Sequence, residues 1–261
     1  MRAARQPRGE KIRYSPVLSG RVRSFRPMSK PPRSSDPPCP PEEEDLRRRV
    51  KRELRKRAIG VRKATPLEAC RERSLAIIAN LQSLDPIRKA RTVALFWPIL
   101  DKHEVDLRPL DSSLRGAGVK IAYPAIVRGA APEEGTGEMS FHLAEPRDLD
   151  ERGFGFHEPP ADSPALSRDL RELDVVVLPS LALDPAGQRI GYGAGYYDRA
   201  LAMVAVVKVG VIFDYQLISE VPATDGDVAV DWIVTDRRVL RAVRAEELCA
   251  PSTGGAPTEP S

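Results

Sequence analysis

Six short apolar runs recur along the chain: TVALFW (92–97), VKIAYP (119–124), MSFHL (139–143), DVVVLP (174–179), VVKVGVIF (206–213) and DWIVT (231–235). They have strand length and are rich in β-branched and aromatic residues. Several are apolar at consecutive rather than alternate positions, the pattern of strands covered on both faces. Residues 105–115 and 196–204 between them have helical character. Strands alternating with helices predict an α/β fold with a largely parallel sheet and helices on both faces. Two further helices are expected upstream. Residues 42–64 place acids in the first turn and bases after it, matching the helix dipole, with Leu46, Val50, Leu54 and Ala58 at a spacing of four. Residues 65–84 open with Thr65 as an expected N-cap, Pro66 at the first helical position and Glu68 completing a capping box. Leu67, Leu75, Ile78 and Leu81 form the expected buried stripe.

Composition sets the boundaries. The stretch SKPPRSSDPPCPP (29–41) cannot hold a helix, because proline lacks an amide donor and fixes φ. Three segments are expected: a disordered basic extension over 1–41, a single catalytic-size domain over 42–246, and a disordered tail over 247–261. The pI of about 9.0 points to nucleic acid until the charges are located. Of 41 Lys and Arg, ten lie in residues 1–35 beside one acid; the rest carries 31 bases against 36 acids, a net charge of about −5. The domain is mildly acidic. The basic extension has no apolar face and no basic–aromatic interleaving, so it reads as solvated disorder. An organelle transit peptide, or a translation start at Met28, are the alternatives. Neither a nucleic-acid nor a membrane partner is expected, since no apolar run approaches 18 residues. Cys39, Cys70 and Cys249 are odd in number and form no Cys-x-x-Cys pair, which argues against a disulfide framework or zinc site and for a reducing compartment, the cytoplasm.

The candidate chemistry lies in GQRIGYGAGYYDRALA (187–202), with Gly191, Gly193 and Gly195 at alternate positions ahead of a helix. Bare main chain is tolerated where the backbone turns sharply or approaches something closely. Exposed amides at a helix start favour phosphate, although a plain tight turn explains many such runs. Walker A fails, because no lysine follows the glycines. The dinucleotide fingerprint fails at its third position, occupied by Tyr196, and at the eleven residues separating Pro179 from Gly191, although Asp214 falls where its acid belongs. Asp198 adds a carboxylate beside the loop. It is either a helix-start acid favoured by the dipole or a ligand to Mg²⁺ shared with phosphate. His103, His142 and His157 have no metal or triad spacing, and no Gly-x-Ser-x-Gly elbow is present.

The segment DVVVLPSLALDPAGQRIGYGAGYYDRAL (174–201) resembles the signature of the 5-formyltetrahydrofolate cyclo-ligase family. The order of ALFWPI, MSFH, HEP, VGVIFDYQL and VPATDGDVAVDWIVT around it agrees, over about residues 45–240. The resemblance implies a three-layer α/β fold and a monomeric enzyme. It implies the use of ATP and Mg²⁺ to turn 5-formyltetrahydrofolate into 5,10-methenyltetrahydrofolate through phosphorylation of the formyl oxygen. Carried over, Lys51 and Arg55 contact phosphates, and Arg189, Ile190, Gly191, Tyr192, Gly193, Ala194, Gly195, Tyr196 and Tyr197 wrap the triphosphate. Asp198 and Asp227 hold the metal. Trp97, Glu104, Tyr192 and Tyr196 meet the folate, and Glu104, Arg189 and Tyr196 are the catalytic candidates. By themselves Lys51 and Arg55 read as a solvated basic face, Trp97 as core and Glu104 as an exposed acid. The sequence departs from the family pattern at Tyr192, Ala194 and Ser180, and at the DGD of 225–227. A non-catalytic descendant binding a nucleotide or RNA is the rival expectation.

Overall fold

The computed structural model describes residues 40–127, 137–151 and 156–243. These lie within one of the two units into which the chain divides, Cys39–Ser261. The expected disordered ends fall almost wholly outside the described residues.

Three helices open the described chain: α1 (Pro41–Ala64), α2 (Leu67–Ser83) and α3 (Asp85–Lys89). The polar first half of α1 is laced by Glu43–Arg47, Glu44–Arg48 and Asp45–Arg49 pairs at i,i+4, each adding about 0.2–0.5 kcal/mol. Leu46 and Val50, expected inside, are exposed. The buried side of α1 carries Lys51, Arg55, Ala58 and Arg62 instead, and Leu54, Ala58 and Ile59 pack on Leu181, Ile190 and Val221. The stripe is rotated because this face meets a charged site, not a wholly apolar core.

Thr65 is the C-cap of α1 rather than an N-cap of α2. Its hydroxyl bonds the Val61 carbonyl and the Tyr215 phenol, and Pro66, extended, begins α2 with no side-chain cap. Leu67 and Leu75 are exposed; Cys70, Ser74, Ile77, Ile78 and Leu81 form the buried stripe.

The sheet follows. Its strands are β1 (Thr92–Ala94), then, after α4 (Arg108–Gly116), β2 (Lys120–Val127) and β3 (Glu138–Leu143). β4 (Asp150–Glu151) and β5 (His157–Glu158) pair antiparallel as a separate two-stranded sheet, with β5 against β2. The chain continues through β6 (Val175–Pro179), a hairpin of β7 (Ala182–Leu183) and β8 (Arg189–Ile190), and α5 (Tyr196–Leu201). It ends in β9 (Val207–Val211), β10 (Trp232–Val234) and β11 (Val239–Arg241).

The seven-stranded order is β11-β10-β9-β6-β1-β2-β3. Four pairs are parallel, and only the outer pairs β2–β3 and β10–β11 are antiparallel. All six sequence-predicted strands are present. The sheet sends Val93, Val175, Val177 and Val209 toward α2 and α4, and Ala94, Val176, Leu178 and Ile233 toward α5. Alternation of consecutive apolar residues between two cores is why the runs lack a polar face. From β1 the chain adds β2 and β3 on one side, then returns to add β6, β9 and β10 on the other. The β1/β6 boundary is therefore the topological switch point, where open α/β sheets leave a crevice beyond the strand carboxyl ends.

Candidate functional site

The β7–β8 hairpin accounts for the eleven residues between Pro179 and Gly191: the chain leaves the sheet, turns at Asp184–Gly187 and returns before the glycine loop. Asp184 locks that turn by accepting the Gln188 amide at 2.9 Å and the Val221 amide at 2.8 Å. The loop itself runs from Gly191 to Gly195 into α5. Gly193 (φ 110°) and Gly195 (φ 67°) occupy backbone conformations that favour glycine, whereas Gly191 has none and a Cβ there meets open space.

The loop carbonyls are held by cations. Arg55 Nε donates to the Gly191 carbonyl at 2.8 Å, with its guanidinium against Gly193, and Arg199 Nη1 donates to the Ala194 carbonyl at 2.8 Å. Among the described residues, none of the five amides from Gly191 to Gly195 makes a hydrogen bond. Five consecutive unspent donors bordered by guanidinium groups form a ready receptor for an anion. Burial, and then the charge of Arg52, lower the pKa of Arg55, which still stays cationic at any ordinary pH.

Beside the loop, Asp198 Oδ1 accepts from Arg189 Nη2 at 2.8 Å and from the Val228 amide at 3.0 Å. Arg189 is buried, and its other terminal nitrogen donates to the Val228 carbonyl. It therefore stands behind Asp198 and fixes it. Asp227, next to Val228, takes Lys51 Nζ, the Thr224 amide and the Thr224 hydroxyl on Oδ2. The second oxygen of each carboxylate takes no hydrogen bond among the described residues. No group of three or more metal-ligating side chains occurs there either. The donor set fits an ion that draws most of its ligands from phosphate oxygens and water, which is the habit of Mg²⁺.

The third part is a buried cluster. Glu104, at the end of the turn formed by Leu100–Lys102, accepts the Ile99 amide on Oε2 at 3.0 Å and the Tyr192 phenol on Oε1 at 2.8 Å. Arg62 donates to the Tyr192 oxygen and lies 3.8 Å from Glu104 Oε1. Burial, then the charge of Glu104, push the Tyr192 pKa up, so the phenol remains a donor. The Tyr197 phenol is raised by the same two causes. Lys102 lies over the Tyr192 ring and Arg199 over the Tyr196 ring. Trp97, half-buried, meets Tyr123 edge-on and tilts against His157.

The fold thus brings Lys51, Arg55, Glu104, Arg189, Asp198, Asp227 and residues 191–197 to one end of the sheet. Glu104 is buried rather than an exposed acid, and Lys51 is buried rather than solvated. The Ile190 side chain is fully buried on the α1 side, so only its main chain can face the loop. Sequence reasoning did not single out Arg62, Lys102 or Thr224. Arg62 had a signal: positions 51, 55 and 62 (i, i+4, i+11) share one helix face. Thr224 had none, since only the loop fold sets it against Lys51. The histidines are dispersed: His103 bonds the Arg62 carbonyl, and His142 bonds Ser140 and Ser163.

The model of the 5-formyltetrahydrofolate cyclo-ligase family matches residues 47–236. The chain is 32% identical over 199 residues to 5-formyltetrahydrofolate cyclo-ligase of Mycolicibacterium smegmatis, covering 75% of this chain and 98% of that protein. It is 31% identical over 185 residues to the Escherichia coli K12 protein of the same name, covering 68% and 96%. Its fold matches the NMR structure of Aquifex aeolicus 5,10-methenyltetrahydrofolate synthetase with a TM-score of 0.62 at 32% identity, over 80% of this chain and 96% of that one.

Proposed function

Because the chain belongs to the 5-formyltetrahydrofolate cyclo-ligase family, a family of ligases, we propose that it converts 5-formyltetrahydrofolate into 5,10-methenyltetrahydrofolate, consuming ATP and releasing ADP and phosphate. The observation that carries this reading is the row of five unspent amides at 191–195, bordered by Arg55 and Arg199 and followed at once by the fixed carboxylate of Asp198.

The formyl oxygen attacks the γ-phosphorus as the bond to ADP breaks. N10 then attacks the formyl carbon and loses its proton, and the C–O bond breaks with departure of phosphate. The unspent amides and the guanidinium of Arg55 would take the phosphate oxygens, preorganised so that little rearrangement is needed as charge shifts. Asp198 and Asp227 would hold Mg²⁺, which when bound neutralises phosphoryl charge. Arg189, donating to Oδ1 at 2.8 Å, keeps Asp198 aimed. Glu104, held by the Ile99 amide and the Tyr192 phenol, would accept a hydrogen bond from a ring N–H of the folate. Trp97 and Tyr196 offer flat faces for its pterin. The reading includes a monomer acting on small molecules in the cytoplasm; among the described residues no helix is long and apolar enough to cross a membrane.

The test is the absorbance of the methenyl product, followed with and without ATP and Mg²⁺. Product that needs both supports the reading, whereas a folded protein that gives none sinks it.

A further inference from the structure

The switch-point crevice has a floor. Beyond the carboxyl ends of β1, β6 and β9, a cavity of about 10 Å³ is lined by Phe96, Glu104, Arg62, Pro179, Val211 and Ser180, room for one water-sized group. Its polar lining is nearly all committed. Both oxygens of Glu104 accept, Arg62 donates to Tyr192, and the neighbouring Gln216 spends its amide on the Leu181 carbonyl and the Phe213 amide. Ser180 is the exception. It is 7% exposed, follows directly on β6, and its hydroxyl is buried without a hydrogen-bond partner. A buried hydroxyl left unpaired costs free energy, and this one faces the crevice where the topology places ligands.

We propose that Ser180 is a substrate-specificity residue: its hydroxyl receives one projecting amino or carbonyl group on the rim of a flat heteroaromatic ring, whose neighbouring N–H groups reach Glu104. The assignment rests on the folate reading above and names the ring edge as the part recognised. A serine hydroxyl both donates and accepts, so either group is satisfied. The size of the cavity limits the contact to a single heavy atom, which makes it selective for the ring's substitution pattern rather than its area. The phosphate-binding amides lie on a different segment, so ATP binding is independent of this contact.

Ser180→Ala and Ser180→Gly test it. The expected result is a KM for 5-formyltetrahydrofolate raised about five- to tenfold, the loss of one hydrogen bond in a buried site, with the KM for ATP unchanged. The melting temperature stays level or rises in the alanine variant, because the hydroxyl removed had no protein partner. An unchanged folate KM overturns the proposal. So does a comparable rise in the ATP KM, or a fall of several degrees in melting temperature with unaltered kinetics, the mark of a structural role. If the wild-type protein makes no methenyl product, the reaction reading fails separately. Ring binding is then read from quenching of tryptophan fluorescence on titration with 5-formyltetrahydrofolate: a fivefold or greater weakening in both variants supports the Ser180 contact, and equal or absent quenching in all three proteins overturns it.

Discussion

The protein builds the same three-residue chemistry twice. On α4 and β2, Asp111 accepts the Tyr123 phenol at 2.6 Å and Arg115 Nε at 3.0 Å. At the sheet's carboxyl end, Glu104 accepts the Tyr192 phenol at 2.8 Å with Arg62 at 3.8 Å. In the first, aspartate and arginine are one helical turn apart, and Tyr123 is buried in the core. In the second, the members come from α1, the 99–105 turn and the glycine loop, and Tyr192 is 37% exposed. A carboxylate closed by an arginine on its own helix and a tyrosine on the strand beneath is finished when the helix docks. One assembled from three separate segments depends on all of them, and its tyrosine belongs to the same loop that offers the unspent amides. The first cluster is a brace, and the second belongs to the proposed site.

Substitutions should separate the two. Asp198→Asn, at the site end, is expected to cut turnover by ~10³-fold, the scale of a lost electrostatic partner of the transition state, with circular dichroism unchanged; retained turnover breaks the metal assignment. Glu104→Gln should lower kcat/KM by roughly 100-fold. Asp111→Ala should do the opposite: breaking a buried pair costs about 3 kcal/mol of stability, read by denaturant unfolding, while KM values hold. If activity falls in step with Asp111 loss, the brace is not independent of the site.

The glycines sharpen the contrast on a smaller scale. Gly191→Ala meets open space, so folding should be intact and the ATP KM should rise by about tenfold, the cost of crowding an approaching phosphate at ~1.4 kcal/mol. Gly193→Ala, at φ 110° and against Arg55, should lose about 1–2 kcal/mol of stability as well.

The smallest effect lies in alkali. Burial, then the partner carboxylate in each case, push the Tyr123 and Tyr192 phenols up, and burial chiefly raises Tyr197. The folded state keeps these phenols protonated after the unfolded chain ionises, near the ordinary value of 10.0. Stability is therefore full below pH 10 and declines above it, approaching about 1.4 kcal/mol per pH unit for the buried Tyr123 and less for Tyr192, whose 37% exposure lets solvent screen the interaction. Tyr123→Phe should flatten the decline measured between pH 10 and 11; an unaltered slope counts against that phenol being held neutral.

Much of the fold was legible because its signal is local. Each of the six apolar runs reappears as a strand, since a parallel strand covered on both faces must be apolar at consecutive positions. The loop announced itself because only glycine tolerates the conformations at 193 and 195 cheaply. The α1 stripe was misread because spacing alone assigns Leu46 and Val50 inward, whereas the actual surface met by α1 wants cations. The hairpin of 181–190 escaped because two-residue strands carry no periodic signal. What the sequence determined alone was the α/β layering and a bare loop ahead of an acid, both consequences of side-chain and backbone preference within a few residues. Only the tertiary structure decided that Arg189 stands behind Asp198, that Arg62 and Tyr192 close on Glu104, and that Ser180 faces the switch-point cavity without a partner. Those relations join positions up to 130 residues apart, and contacts between distant segments are fixed by how the sheet orders its strands, which no short window of sequence contains.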